Sequence, residues 1–187
     1  MPPLPSWSAL HPLIVHFPIA LLMVAPFLVV VGLLVKGQRP FLASALLLMV
    51  LGTAGAWLAV ATGNSAGELA ERLPGVKAVL ERHEEMAETT RTVFTVLTLV
   101  FASLVVVPWA LKQEPPRLVR LGAHAVFLAV YAGALFYLAS AAHEGGRLVH
   151  EMGVHALVAH TGPANAVGPA GPGEKPGAGR ARVSDDD

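Results

Sequence analysis

His11-Pro12-Leu13-Ile14-Val15-His16-Phe17-Pro18-Ile19-Ala20-Leu21-Leu22 opens an apolar run that reaches Val35 without a single charge. About 20 such residues cross the hydrocarbon core of a bilayer as a helix. Pro12 suits a first helical turn, where its missing N–H costs nothing. Pro18 and Pro26 lie inside the run and are expected to kink it. Trp7 stands just outside, where aromatic anchors collect at membrane interfaces. A histidine inside a span is costly, which makes His16 a candidate functional group. No basic segment precedes the run and it is longer than a signal-peptide core, so it reads as a retained span.

Three further uncharged or nearly uncharged runs follow, giving spans at 13–35, 41–62, 92–111 and 118–142. The composition agrees: 54% of residues are hydrophobic and 14% charged, against about a quarter charged in soluble domains. The expected fold is an all-α, four-helix bundle embedded in a membrane. Residues 1–160 form the transmembrane domain, and the Gly, Pro and Ala-rich 161–187 a disordered tail. Net charge is zero, which gives no argument for nucleic acid. With no cysteine, thiolate metal sites, cysteine-held clusters and covalent haem are excluded.

The second span is rich in small residues at a spacing of four, including Gly52/Ala56, Gly55/Ala59 and Ala59/Gly63. That spacing serves close helix packing, and less often a crevice for a flat cofactor. Gly63 to Gly67 reads as a break, followed by a short helix over 68–73 that stops at Pro74-Gly75. From Val76 an amphipathic helix leads into the third span. Val76, Val79, Leu80, His83, Met86, Ala87 and Thr90 fall on one face, with charges opposite. His83 lies on the apolar stripe, where neighbouring acids are placed to orient it as carboxylates orient metal-bound imidazoles. Gly145-Gly146 is expected to end the fourth helix. Arg147 to His160 reads as a short amphipathic helix at the interface.

Lys36 and Arg39 occupy one short turn, and Lys112, Arg117 and Arg120 the other. Short basic loops face the cytoplasm. Both termini and the 63–91 segment are then extracytoplasmic, and so is every histidine except His124. Separated by 19 residues, His124 and His143 stand roughly 28 Å apart on a straight helix and cannot share a ligand. His124 reads as a hydrogen-bonding core residue.

The histidines leave three readings open. In the first, haem b is held near the outer face by His16 with His83 or His143, and His11 is a fourth candidate. The obstacle is height, since His83 lies about 12 Å above span three on a straight helix. In the second, His16, His83, His143 and Glu144 hold a copper or zinc ion. In the third, the histidines only satisfy backbone groups. No helical His-x-x-x-His pair, glycine-rich nucleotide loop or serine–histidine–acid arrangement is present, so nothing argues for a hydrolase or a nucleotide-dependent enzyme.

The opening stretch from His11 to Leu21, with Ala61-Thr62-Gly63, His83-Glu84, Gly145-Gly146-x-Leu148-Val149 and Gly153-Val154, resembles a bacterial membrane-protein family, domain of unknown function 2231. The resemblance covers about residues 10–154. It implies a four-helix protein of the bacterial inner membrane. Relatives joined to c-type cytochrome domains imply a redox link, with a c-type cytochrome as partner beside the lipid bilayer. Oligomerisation is left open. His11, His16, His83 and the Gly145-Gly146 turn are the residues that the resemblance carries over, and it does not support ligation by His150.

Overall fold

The computed structural model describes residues 7–154. A 3-10 turn at Ser8–Leu10 leads into α1 (His11–Ile14), α2 (His16–Leu34), α3 (Arg39–Ala70), α4 (Lys77–Leu111) and α5 (Arg117–His150). Four helical segments are long and apolar enough to cross a membrane: His11–Leu34, Arg39–Glu68, Lys77–Leu111 and Arg117–His150. Among the described residues there is no strand. Consecutive long helices pack against each other, and α5 closes on α2. The result is the expected all-α bundle.

The centre is filled by Leu22, Val29, Met49, Phe94, Phe101, Phe127 and Tyr131, all nearly inaccessible. Phe127 stacks on Phe101 at 5.0 Å, and Phe94 meets Tyr131 edge-on at 5.3 Å. Leu13, Phe27, Leu99, Leu118, Val126 and Phe136 point outward and are exposed. Apolar burial drives little in lipid, so close packing and internal hydrogen bonds must hold such a bundle. Gly52 and Gly55 let α2 approach. A Cβ at Gly52 would fall 2.8 Å from Leu22, and one at Gly55 would fall 3.2 Å from Pro18. The small-residue face of α3 is thus filled by α2 at these two levels.

One hydrogen bond follows directly from a proline. Pro26 has no N–H to offer the carbonyl of Leu22, four residues earlier. The Tyr131 hydroxyl donates to that carbonyl at 2.8 Å, inside the core. Tyr131→Phe therefore leaves a buried acceptor bare, at an expected cost of about 1–3 kcal/mol. The check is a detergent melt of the single variant and of the Pro26→Ala/Tyr131→Phe double variant. The loss should shrink in the double variant, where the backbone again satisfies Leu22.

The helix ends differ from the sequence expectation. No break occurs at Gly63–Gly67, because α3 continues to Ala70. Gly145-Gly146 does not stop α5, which runs to His150. In both stretches a glycine admits a side chain from another helix, Gly63 that of His11 and Gly145 that of His83. The glycine that ends α5 is Gly153, at φ 67°, with Val154 N–H donating back to Leu148 at 3.0 Å. The expected short helix over 68–73 is the end of α3, and Arg147 belongs to α5. The amphipathic segment and the third span form one helix of 35 residues, about 52 Å long against a hydrocarbon core of about 30 Å. The residues from His155 to His160, and the tail at 161–187, lie outside the described residues.

Candidate functional site: a pair of carbonyl-locked imidazoles

At one end of the bundle the two helical hairpins carry the same device. His11, in α1, reaches across to α3, and its Nδ1 lies 2.9 Å from the Ala59 carbonyl. His83, near the start of α4, reaches across to α5, with Nδ1 2.9 Å from the Ala141 carbonyl. Four residues beyond each carbonyl stands a glycine. A Cβ at Gly63 would fall 3.0 Å from His11 Cε1, and one at Gly145 would fall 2.9 Å from His83 Cε1. The imidazoles occupy the space that any other residue would fill. The sequence Ala-x-x-x-Gly therefore receives a histidine twice, once in each hairpin.

A carbonyl can only accept, so Nδ1 carries the hydrogen in both rings. In the neutral ring Nε2 then holds a lone pair. The two rings lie 6.4 Å apart, centre to centre, with their planes at 80°. The ends of α3 and α5 extend beyond the spans drawn from sequence, and α4 extends with them. Height is thus no obstacle to His83, since its partners rise beside it.

The surroundings of the two rings differ. Thr62, fully buried, places its hydroxyl 3.3 Å from His11 Nδ1 while donating to the carbonyls of Leu58 and Ala59. Beside His83 stands Glu144, only 7% exposed. Its carboxylate pairs with Arg147 at 2.8 Å and with Arg82 at 3.5 Å. The glutamates expected to orient His83 do not do so, because its Nδ1 is held by a backbone carbonyl. Glu84 instead turns against Gly67, in an open groove also lined by Glu68, Glu71, Glu81 and Glu88.

The other candidates stand apart from the pair. His16 is exposed, and its Nδ1 lies 2.8 Å from the carbonyl of Pro12 in the preceding turn. His143 is exposed on the outer face of α5. The set His16, His83, His143 and Glu144 is therefore not brought together, and His11 takes the place beside His83. Among the described residues, no three His, Asp or Glu side chains are grouped to hold a metal ion. His124 is buried at 2% exposure with Nδ1 2.9 Å from the Arg120 carbonyl, as a core residue should be, although its Nε2 has no partner among the described residues. The basic loops lie at the opposite end, where Glu114 joins Arg39 at 3.2 Å and Arg120 at 3.4 Å.

The elements that converge are the opening His-Pro stretch, Ala-Thr-Gly, His83-Glu84 and the double glycine. A family model described as Predicted membrane protein (DUF2231) matches residues 8–157. The chain belongs to this family. No curated protein and no solved structure matches it. In this DUF2231 protein the scattered motifs are two halves of one arrangement. Gly63 and Gly145 are legible in the sequence as motif residues, but their role as imidazole seats is not. The signal that could have found them is Ala59/Gly63 and Ala141/Gly145 at the same end of two hairpins.

Proposed function

We propose that the paired imidazoles hold a b-type haem near one membrane face, and that this DUF2231 protein is an electron-transfer subunit of a membrane redox system. One observation carries the reading. Two rings from opposite hairpins stand together, each fixed through Nδ1–H by a carbonyl, and neither Nε2 takes a hydrogen bond among the described residues. Metal-bound histidines are held in this way, with the second ring nitrogen donating to a carbonyl or carboxylate. The ring centres stand 6.4 Å apart at one end of the bundle. When bound, haem supplies reversible one-electron chemistry. The protein supplies the two ligands, their orientation and, through Thr62 and Glu144, unequal polar surroundings on the two sides.

The basic loops at the far end favour a bacterial inner-membrane orientation with the histidine end, and both termini, outside the cytoplasm. A c-type cytochrome domain is a fitting partner at that face.

A structural role is the second reading. Edge-on aromatic rings also pack with centres 4.5–7 Å apart, and each histidine staples two helices without any cofactor. Absorption spectra separate the two. Protein purified in detergent from haem-supplied cells should show a Soret band, and on reduction the sharp bands of a six-coordinate, low-spin haem at one per chain. A colourless preparation leaves the staples and ends the haem reading. Copper or zinc at one per chain, found by elemental analysis of that colourless preparation, would point to a metal ion instead.

A further inference from the structure

Beside the imidazole pair, on the lipid-facing side of α4 and α5, lies an open groove of about 550 Å³. This is within the size range of small-molecule sites, about 300–1,000 Å³. One end is apolar, formed by Met86 of α4 and Phe136 of α5. Phe136 is 77% exposed, so the groove opens toward lipid. Ala139 extends the apolar lining, and Tyr137, Ser140, His143, Arg82 and Glu144 supply the polar groups. From Phe136 to His143 the groove extends about 10 Å at 1.5 Å per residue.

The charge of this lining separates two kinds of occupant. Arg82 joins Glu144 at 3.5 Å, Glu144 joins Arg147 at 2.8 Å and Arg147 joins Glu151 at 3.0 Å, so two cations and two anions offset each other along this wall. A phosphate would meet a carboxylate as well as a guanidinium. A neutral molecule would meet donors and acceptors in alternation. Tyr137 can donate, and the His143 ring can donate from one nitrogen and accept at the other. Ser140 donates its hydrogen to the Phe136 carbonyl at 3.0 Å and keeps oxygen lone pairs as acceptors. The partner that suits this pattern is a flat, uncharged, lipid-soluble ring with oxygens at both ends.

We propose that this groove binds the headgroup of a lipid-soluble quinone, its ring lying along the apolar lining between Tyr137 and His143 and its oxygens bonded to these two side chains. Glu144 and Arg82 form one wall of the groove. Glu144 also flanks Gly145, on which His83 is seated, so the groove and the imidazole pair share a wall. The purpose of the site rests on the redox reading, but its occupancy does not.

The test is equilibrium binding of a decyl-substituted benzoquinone to the purified chain, corrected for micelle uptake by protein-free detergent. Saturable binding at one per chain is expected. Tyr137→Phe and His143→Ala should each weaken it about fivefold, the effect of one hydrogen bond. Both side chains lie outside the core, and unchanged melting would verify that the fold is kept. Phe27→Ala, on the lipid face of α2, should leave binding unaltered. Uptake that only follows detergent concentration would overturn the proposal, as would unreduced affinity in the two groove variants. One tightly held anionic phospholipid per chain, lost in Arg82→Gln, would also overturn it and assign the groove to a lipid headgroup. A colourless protein that binds the quinone would keep this site and end the haem reading.

Discussion

Gly145→Leu is expected to unseat His83, whereas Gly146→Ala, one residue on, should be harmless. A Cβ at position 145 falls 2.9 Å from His83 Cε1, inside any real contact distance. The ring cannot simply tilt, because its Nδ1–H is bound to Ala141, one turn away on the same helix as the glycine. Leucine therefore removes that hydrogen bond, worth about 0.5–1.5 kcal/mol. It also overpacks the α4–α5 contact, at about 1–3 kcal/mol. A loss of roughly 2–4 kcal/mol should appear as a lower melting point in detergent. If the imidazole is a haem ligand, loss of its orienting carbonyl should weaken cofactor binding about 10–100-fold. At Gly146 no atom lies within 4 Å of the added Cβ. Alanine there removes glycine's helix penalty of about 1 kcal/mol and should hold or raise stability. Equal effects at the two positions would mean that the double glycine serves helix flexibility, not a ring seat.

That contrast also marks where sequence reasoning runs out. The four spans are readable because lipid excludes charge, and soluble folds rarely keep runs of that length free of it. The helix ends are not readable. Glycine in a helix is unfavourable in isolation, so Gly63–Gly67 and Gly145-Gly146 read as stops. They are kept helical by partners distant in sequence: His11 sits 48 residues before Ala59, and His83 58 residues before Ala141. Local propensity has no access to such contacts. The same limit makes His16 the stronger candidate than His11 when the sequence is read alone. His16 lies deeper in the apolar run, and depth in lipid implies a cost that function would have to justify. The ring nevertheless has a partner in the preceding turn, the Pro12 carbonyl, and needs no tertiary contact. His83, on the apolar stripe of α4, does need a tertiary contact, and it finds one in the Ala141 carbonyl of α5.

His11 and His16 thus provide the second test, and their expected behaviour is opposite despite only five residues of separation. His16→Ala removes an exposed ring held by a backbone carbonyl of its own segment. Stability, any haem spectrum and any bound metal should be unchanged within error. His11→Ala removes the staple between α1 and α3, together with one of the two paired rings. Without a cofactor the cost is one hydrogen bond plus lost packing against Gly63, about 1–3 kcal/mol. With haem the effect is far larger, since an iron with two imidazoles is left with one. The low-spin spectrum should give way to a high-spin one, and most of the haem should be lost on a desalting column. His83→Ala should do the same, and His11→Ala/His83→Ala should abolish the Soret band. The distinction rests on chemistry rather than on magnitude. A staple lost from either hairpin lowers a melting point, but only a lost ligand changes spin state. If His16→Ala and not His11→Ala abolished the Soret band, the pairing in α1 and α4 would be structural, and the ligand would be the exposed ring.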